Sequence, residues 1–219
     1  MTEEVIRMII RGIGETLKMT LCSTFFGYVL GLPLGVLLSV TGKNGLSPKP
    51  VVYKIFDVLT NITRSIPFLI LLILLIPLTR FLVGKSYGST ATIVPLSIAA
   101  VPFIGRMVES SLNEVDGGVI EAARAMGLSG FKIVTGVLIP ESRVSLLTGV
   151  TIALGTILGY SAMAGTVGGG GLGDIAVRYG YHRYQSDIMI ITVVLLVVLV
   201  QIFQTTGNHL TVKIDKRIR

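Results

Sequence analysis

The sequence is short of charge. Of its 219 residues 14% are Asp, Glu, Lys or Arg, whereas 51% are hydrophobic, and the mean hydropathy is +0.79. A soluble domain carries roughly a quarter of its residues charged, so this chain lacks the surface that a water-soluble fold needs. Cysteine is nearly missing: Cys22 stands alone, which excludes a disulfide within one chain. The two histidines, His182 and His209, lie far apart with no cysteine beside them, which argues against a structural metal site. No HExxH, nucleophile elbow or paired-carboxylate arrangement is present, so enzyme chemistry is not indicated.

The deficit of charge is concentrated. No charged residue lies between Lys18 and Lys43, nor between Asp187 and Lys213. Each stretch exceeds the ~20 apolar residues that cross a hydrocarbon core of ~30 Å. The chain is therefore a multi-pass membrane protein, all-α, and residues 1–219 form one membrane domain. The net charge of +7 does not signal nucleic acid. Its basic residues sit in short segments between spans, where topology accounts for them, and form no patch with interleaved aromatics. An acidic N-terminus followed by a long apolar run does not fit a cleavable signal peptide.

Five spans are expected. Residues 1–18 carry charges and aliphatics at helical spacing and read either as an amphipathic helix at the bilayer interface or as an extension of the first span. Span one covers Met19 to Val40, with Gly27, Gly31 and Gly35 at four-residue spacing for close helix approach. A turn-rich loop, Thr41 to Pro50, leads to span two at Asp57 to Thr79, where Arg64 is placed to snorkel to the headgroups. Span three, Thr90 to Val108, contains Pro95 and Pro102, which should kink it. A polar segment follows at 109–142. Span four is Val144 to Ala164, and its Thr151, Gly155, Gly159 and Met163 fall at i, i+4 spacing on one face. Residues 165–186 read as a flexible, glycine-rich outer loop, and span five runs from Ile188 to Thr206. With the C-terminus inside, the inner segments hold more basic residues than the outer ones, including Lys213, Lys216, Arg217 and Arg219 of the tail. The N-terminus is thus expected outside, and the C-terminus and the 109–142 segment in the cytoplasm.

Two phosphate-binding echoes fail on context. Gly84-Lys85-Ser86 resembles the end of a P-loop, but that motif requires glycine at position 79, where Thr79 stands. Gly168, Gly170 and Gly173 follow a membrane helix rather than a strand, which rules out a dinucleotide fingerprint. Asn61-Ile62-Thr63 is a glycosylation sequon at a membrane span. The middle parts of the spans lack ionisable residues, since Arg64, Arg106, Glu109 and Arg143 fall near predicted ends. This argues against a carrier powered by an ion gradient. Energy for driven transport would have to come from a partner.

The segment Glu121 to Pro140, EAARAMGLSGFKIVTGVLIP, offers a port for one. Glu121 to Met126 are strong helix formers, and Gly127 can end their helix in a left-handed cap. Ala122, Ala123 and Ala125 keep one side slim enough for a groove on another protein. Glu121 and Arg124 can fix the register by charged contacts. Pro140 suits the first turn of span four, which would pass a push on the short helix to that span. An ordinary loop helix fits the same pattern. The spacing resembles the EAA loop of ABC importer permeases: Glu-Ala-Ala, three residues, Gly, nine residues, then an aliphatic, any residue, an aliphatic and Pro. Val137 and Ile139 stand at the two aliphatic positions.

The chain as a whole is similar to the permease subunit of methionine-uptake ABC importers, through RSIPFLILLILLIPLTR at 64–80, IVPLSIAAVPFIGRMVESSL at 93–112 and GYSAMAGTVGGGGLG at 159–173. The aliphatics at 71–76 and the tail are not diagnostic. The resemblance implies a type I ABC importer permease of five transmembrane helices in the bacterial cytoplasmic (inner) membrane. It implies a homodimer with two ABC ATPase subunits and an extracytoplasmic substrate-binding lipoprotein. Methionine is the implied substrate, with the enantiomer open. ATP and Mg would bind the ATPases, leaving this chain without a cofactor. Glu121 to Gly127 would be the coupling helix in a cleft of the ATPase, and Met163 would narrow the translocation path at the homodimer axis or else be a packing methionine. Two alternatives remain: the same machine for another small polar solute, and a channel or carrier that works without ATPases.

Overall fold

The computed structural model describes residues 3–215, and no strand occurs among them. Helix α1 (Glu3–Thr41) is continuous over 39 residues, so the charged N-terminal stretch extends the first span and forms no separate interfacial helix. The next crossing is broken. Helix α2 (Pro50–Ser65) meets α3 (Phe68–Leu74) at an angle of 101°. Ile66 is extended there with ψ 123°, as expected of a residue before proline, and Pro67 cannot continue the helix of α2. Helix α4 (Ile76–Val83) follows and ends at Gly84, left-handed at φ 77°. The straight span expected over Asp57 to Thr79 is thus three short pieces.

Helix α5 (Ser89–Asn113) is the centre of the molecule and carries both Pro95 and Pro102. Beyond it lie α6 (Gly117–Ala125), α7 (Gly130–Ile133), a wide π turn at Val134–Leu138 and the short α8 (Ile139–Glu141). Helix α9 (Arg143–Ala164) returns across the protein. After a tight turn at Gly165–Val167 come α10 (Gly171–Ile175), a second π turn at Ala176–Tyr181, and α11 (Ser186–Ile214). Helices α1, α5, α11 and the α9–π stretch are long and apolar enough to cross a membrane, and the bent α2–α3 pair brings the number of crossings to five.

The core has the inside-out composition of a membrane fold. Helix α1 buries Thr16, Thr20, Ser23, Thr24, Gly27, Gly31 and Gly35, while Phe25, Phe26, Val29 and Leu30 face outward. Lipid is as apolar as these large side chains, so burial of small residues that permit dense contact drives association. The glycines act as a ladder. A Cβ on Gly27 would lie 2.8 Å from that of Ala100, one on Gly31 2.9 Å from that of Ile104, and one on Gly35 2.5 Å from that of Val108. Three rungs at four-residue spacing on each helix fix the register of α1 on α5. Around this pair, Leu96, Ile104, Leu112, Ala153 and Ile157 form the core. Helix α11 is peripheral: it buries Ile188 and Thr192 and presents Val193, Val194, Val197, Val198 and Ile202 outward.

Contacts between elements define two ends. At one, α6 reaches the loop after α1, and Asp215 lies beside Pro140 and Glu141. At the other, Lys18 Nζ donates to Thr90 Oγ1 (2.8 Å), and the Gly88 amide donates to the carbonyl of Gly168 (2.9 Å). Gly165, Gly169 and Gly173 sit in close backbone contact at the second end. A Cβ on Gly165 or Gly173 would collide with the backbone of the opposing strand of chain, at Asp174 and Ala162 respectively. The Glu15 carboxylate accepts from the Gly171 amide (2.9 Å) and Thr16 Oγ1 from that of Leu172 (2.9 Å), so α1 caps the first turn of α10. The outer loop expected here is a packed plug.

Candidate coupling segment and translocation face

Helix α6 is defined at both ends by local chemistry. Its N-cap is Asp116, whose carboxylate accepts from the Gly118 amide at 2.7 Å. At its C-terminus Gly127 adopts φ 77°. The Leu128 amide then donates back to the carbonyl of Ala123 (3.2 Å) and that of Gly127 to Arg124 (2.9 Å), a Schellman-type closure. Only glycine takes this conformation without steric cost.

The expected coupling residues divide between two faces of this helix. Ala123 is 2% exposed and packs in the core with Ile133, Leu138 and Leu112. Glu121, Ala122, Arg124, Gly127 and the neighbouring Ala125 and Met126 are exposed, and Phe131 protrudes just beyond at 78% exposure. The surface thus combines small residues with two bulky apolar ones and an acidic group. Arg124 is not free to point away from the chain, because its guanidinium donates to the carbonyl of Leu46 at 2.9 Å. It ties α6 to the α1–α2 loop, a partner that a motif confined to 121–140 could not reveal. Between this loop, α6 and the end of α5 lies a polar cleft of about 520 Å³.

Pro140 sits in α8, immediately before α9. It has no N–H, and its ring would strike the carbonyl four residues back in a regular helix. The chain widens ahead of it: the Ile139 amide bonds to Val134, five residues earlier, in the π turn. The Ser142 amide and hydroxyl both return to the carbonyl of Leu138, at 3.0 and 2.7 Å, which restores the helical path into α9. Ala123 of α6 packs against Ile133 and Leu138 on either side of this turn. The polar segment 109–142 is therefore joined to α9 by buried contacts and by continuous chain.

On α9 the four residues expected on one face differ in exposure. Gly155, Gly159 and Met163 form an open strip; no atom would meet a Cβ on Gly155 or Gly159 within 4 Å, and Met163 is 44% exposed. Thr151 is buried, because Gly207 lets α11 close over it, and its hydroxyl donates to its own helix at Leu147 (3.2 Å). It still borders, with Gly155, Ile152 and Thr148, a groove of about 470 Å³ shared with Gln204 and Asn208 of α11. On the strip's other flank, Tyr160 stacks on Phe68 of α3, with ring centres 4.6 Å apart and planes 4° from parallel. Phe68 lies in the 64–68 stretch quoted above, but the stacking partner carries no signal in the sequence.

A model of the family described as binding-protein-dependent transport system inner membrane component matches residues 31–219. The probable D-methionine transport system permease protein MetI of Vibrio cholerae is 49% identical over 203 residues, covering 93% of this chain and 90% of that protein. The D-methionine transport system permease protein MetI of Escherichia coli K12 is 50% identical over 165 residues, 75% of this chain and 76% of that protein. Among solved structures, a chain of the inward-facing MetNI methionine ABC transporter superposes with a TM-score of 0.97 at 47% identity, covering 99% of this chain and 100% of that one. A chain of an amino acid ABC transporter gives 0.73 at 20% identity, a likeness of fold alone.

Proposed function

The chain belongs to the binding-protein-dependent transport system inner membrane components, and from that membership we propose that it carries methionine into the cytoplasm. It is the membrane-spanning permease subunit of an ABC importer and not an enzyme. The observation that carries the substrate is the match over 99% of the chain, at 47% identity and a TM-score of 0.97, to a chain of the methionine ABC transporter. The relatives named for D-methionine support the D-enantiomer as a substrate beside the L-form.

In this reading the permease is a homodimer in the bacterial inner membrane. Two ATPase subunits bind ATP and Mg on the cytoplasmic side, and a binding lipoprotein delivers substrate from outside. The exposed face of α6, with Glu121, Ala122, Arg124 and Gly127, enters a cleft on the ATPase, while the buried Ala123 transmits its displacement. The π turn and Pro140 pass that displacement to α9. The strip Gly155, Gly159 and Met163 faces the second copy across the path, and Met163 is the constriction. Closure of the ATPases on ATP draws the two α6 helices together and opens the path outward; hydrolysis resets it. Lys43 and Arg124 at the α6 end support its cytoplasmic placement; the tail residues Lys216, Arg217 and Arg219 lie outside the described residues.

The test is uptake of labelled methionine into proteoliposomes holding the purified permease–ATPase complex with its binding protein. ATP-dependent uptake that unlabelled methionine competes away is the expected result. Uptake that ignores ATP, or a complex that moves another amino acid and leaves methionine outside, overturns the reading.

A further inference from the structure

A cluster of ionisable side chains joins α2 to α5, and its Tyr53 and Glu109 reach the polar cleft beside α6. The Arg106 guanidinium of α5 donates to the Asp57 carboxylate and to Asn61 Oδ1 (3.0 Å), both on α2, and to Glu109 Oε2 (2.7 Å) one turn along α5. Tyr53 of α2 closes the set by donating its hydroxyl to Glu109 Oε1 (3.2 Å), and Asn61 Nδ2 donates to Asp57 Oδ1 (3.3 Å). The Arg106 and Glu109 side chains are 19% and 10% exposed. At that burial a guanidinium paired with two carboxylates is costly to disconnect, unlike an exposed pair. Three consecutive turns of α2, at Tyr53, Asp57 and Asn61, are thereby fastened to one arginine and its acidic neighbour.

This fastening lies on a second line between the coupling segment and α9, separate from the Pro140 junction. Arg124 of α6 holds the loop before α2 through the Leu46 carbonyl. Helix α2 runs from that loop to the bend at Ile66 and Pro67, and Phe68, the first residue past the bend, lies flat on Tyr160. Tyr160 is the neighbour of Gly159 and lies within one turn of Met163. Neither the ion cluster nor the stack is needed for the route through Pro140.

We propose that Arg106 is a positioning residue for transport, which clamps α2 to α5 as one lever and carries displacement of α6 to the Met163 constriction through the Phe68–Tyr160 stack. The proposal rests on the importer reading given above. Without the clamp, α2 would tilt independently of α5, and movement of the Arg124-anchored loop would be absorbed before reaching the bend.

The experiment measures methionine uptake and ATP hydrolysis in the same proteoliposomes, using the whole complex with its binding protein. Arg106→Gln is expected to lower methionine transported per ATP hydrolysed about tenfold, with ATPase subunits still bound. Phe68→Leu is expected to lower the same ratio about fivefold, and the double variant to match Arg106→Gln alone, because both act on one line. An unchanged ratio in Arg106→Gln, or losses that multiply in the double variant, overturns the lever. Where Arg106→Gln does not assemble, Phe68→Leu and Tyr53→Phe decide, since neither alters charge: a lowered ratio in both supports the lever, and an unchanged ratio in either overturns it. A wild-type complex without ATP-driven methionine uptake defeats the importer reading instead, and the lever with it.

Discussion

The two ends of the molecule each carry a segment of short helices and turns, and the two are built in opposite ways. At one, α6 keeps Ala123 in the core and leaves Glu121, Ala122, Ala125 and Met126 exposed. At the other, the turn and α10 bury Gly165, Gly171, Leu172, Gly173 and Ile175, and α1 satisfies the amides of Gly171 and Leu172. Both are rich in small residues. At the α6 end smallness leaves room for something outside the chain; at the α10 end the room is already filled by the chain's own backbone. Small residues therefore signal close approach, and burial tells whose approach it is.

The sharpest way to break this contrast is Gly173→Val. Its Cβ would strike the backbone at Ala162, and the expected loss of about 3 kcal/mol should appear as a lower unfolding midpoint in detergent and a poor yield of inserted protein. Glu121→Lys makes the opposite kind of defect. Glu121 is exposed, so the unfolding midpoint should move by no more than about 2 °C. ATP-driven uptake and co-purification of ATPase should nevertheless fall at least about tenfold, because the charge presented to the partner is reversed. If uptake survives, α6 is not the docking element. Next in size is Glu15→Ala, which strips the Gly171 amide of its acceptor. About 1.5 kcal/mol should be lost, with faster hydrogen exchange confined to the α10 end; exchange quickening at α6 instead would sink the division into two independent ends. The smallest effect is expected from Gly159→Ala. Nothing in the chain meets the added methyl, so the midpoint should hold within about 2 °C. Uptake should drop about threefold if a second copy faces that strip; unchanged uptake would remove the strip from the path.

Much of this was readable in the chain. The Gly27, Gly31, Gly35 spacing foretold a close helix approach, though not that α5 makes it, because side-chain size and a four-residue repeat are properties of the sequence itself. The left-handed Gly127 after an alanine-rich helix was legible for the same reason. Hydropathy, however, has no direction: Asp57 to Thr79 is apolar enough for a span, and nothing in that average reports a turn of 101° at Pro67. The glycines of 165–173 suit either a loose loop or a tight crossing, and only the approach of Gly173 to Ala162 decides between them. Thr151 shares its spacing with Gly155, Gly159 and Met163 but lies under α11, since covering depends on a helix far along the chain. Asp57 and Arg106 were each assigned to a span end by position along the chain; their pairing became visible once α2 and α5 lay side by side.

The unbroken run of α1 sets a length scale. At 1.5 Å per residue, its 39 residues measure about 58 Å, nearly twice the ~30 Å of hydrocarbon that one crossing needs. Its uncharged stretch begins just after Lys18, and Glu15 and Thr16 lie within one turn of that point. Those two residues hold α10. Helix α1 thus does two jobs along one rod: below Lys18 its polar side chains fasten α10, and above it small residues seat α5.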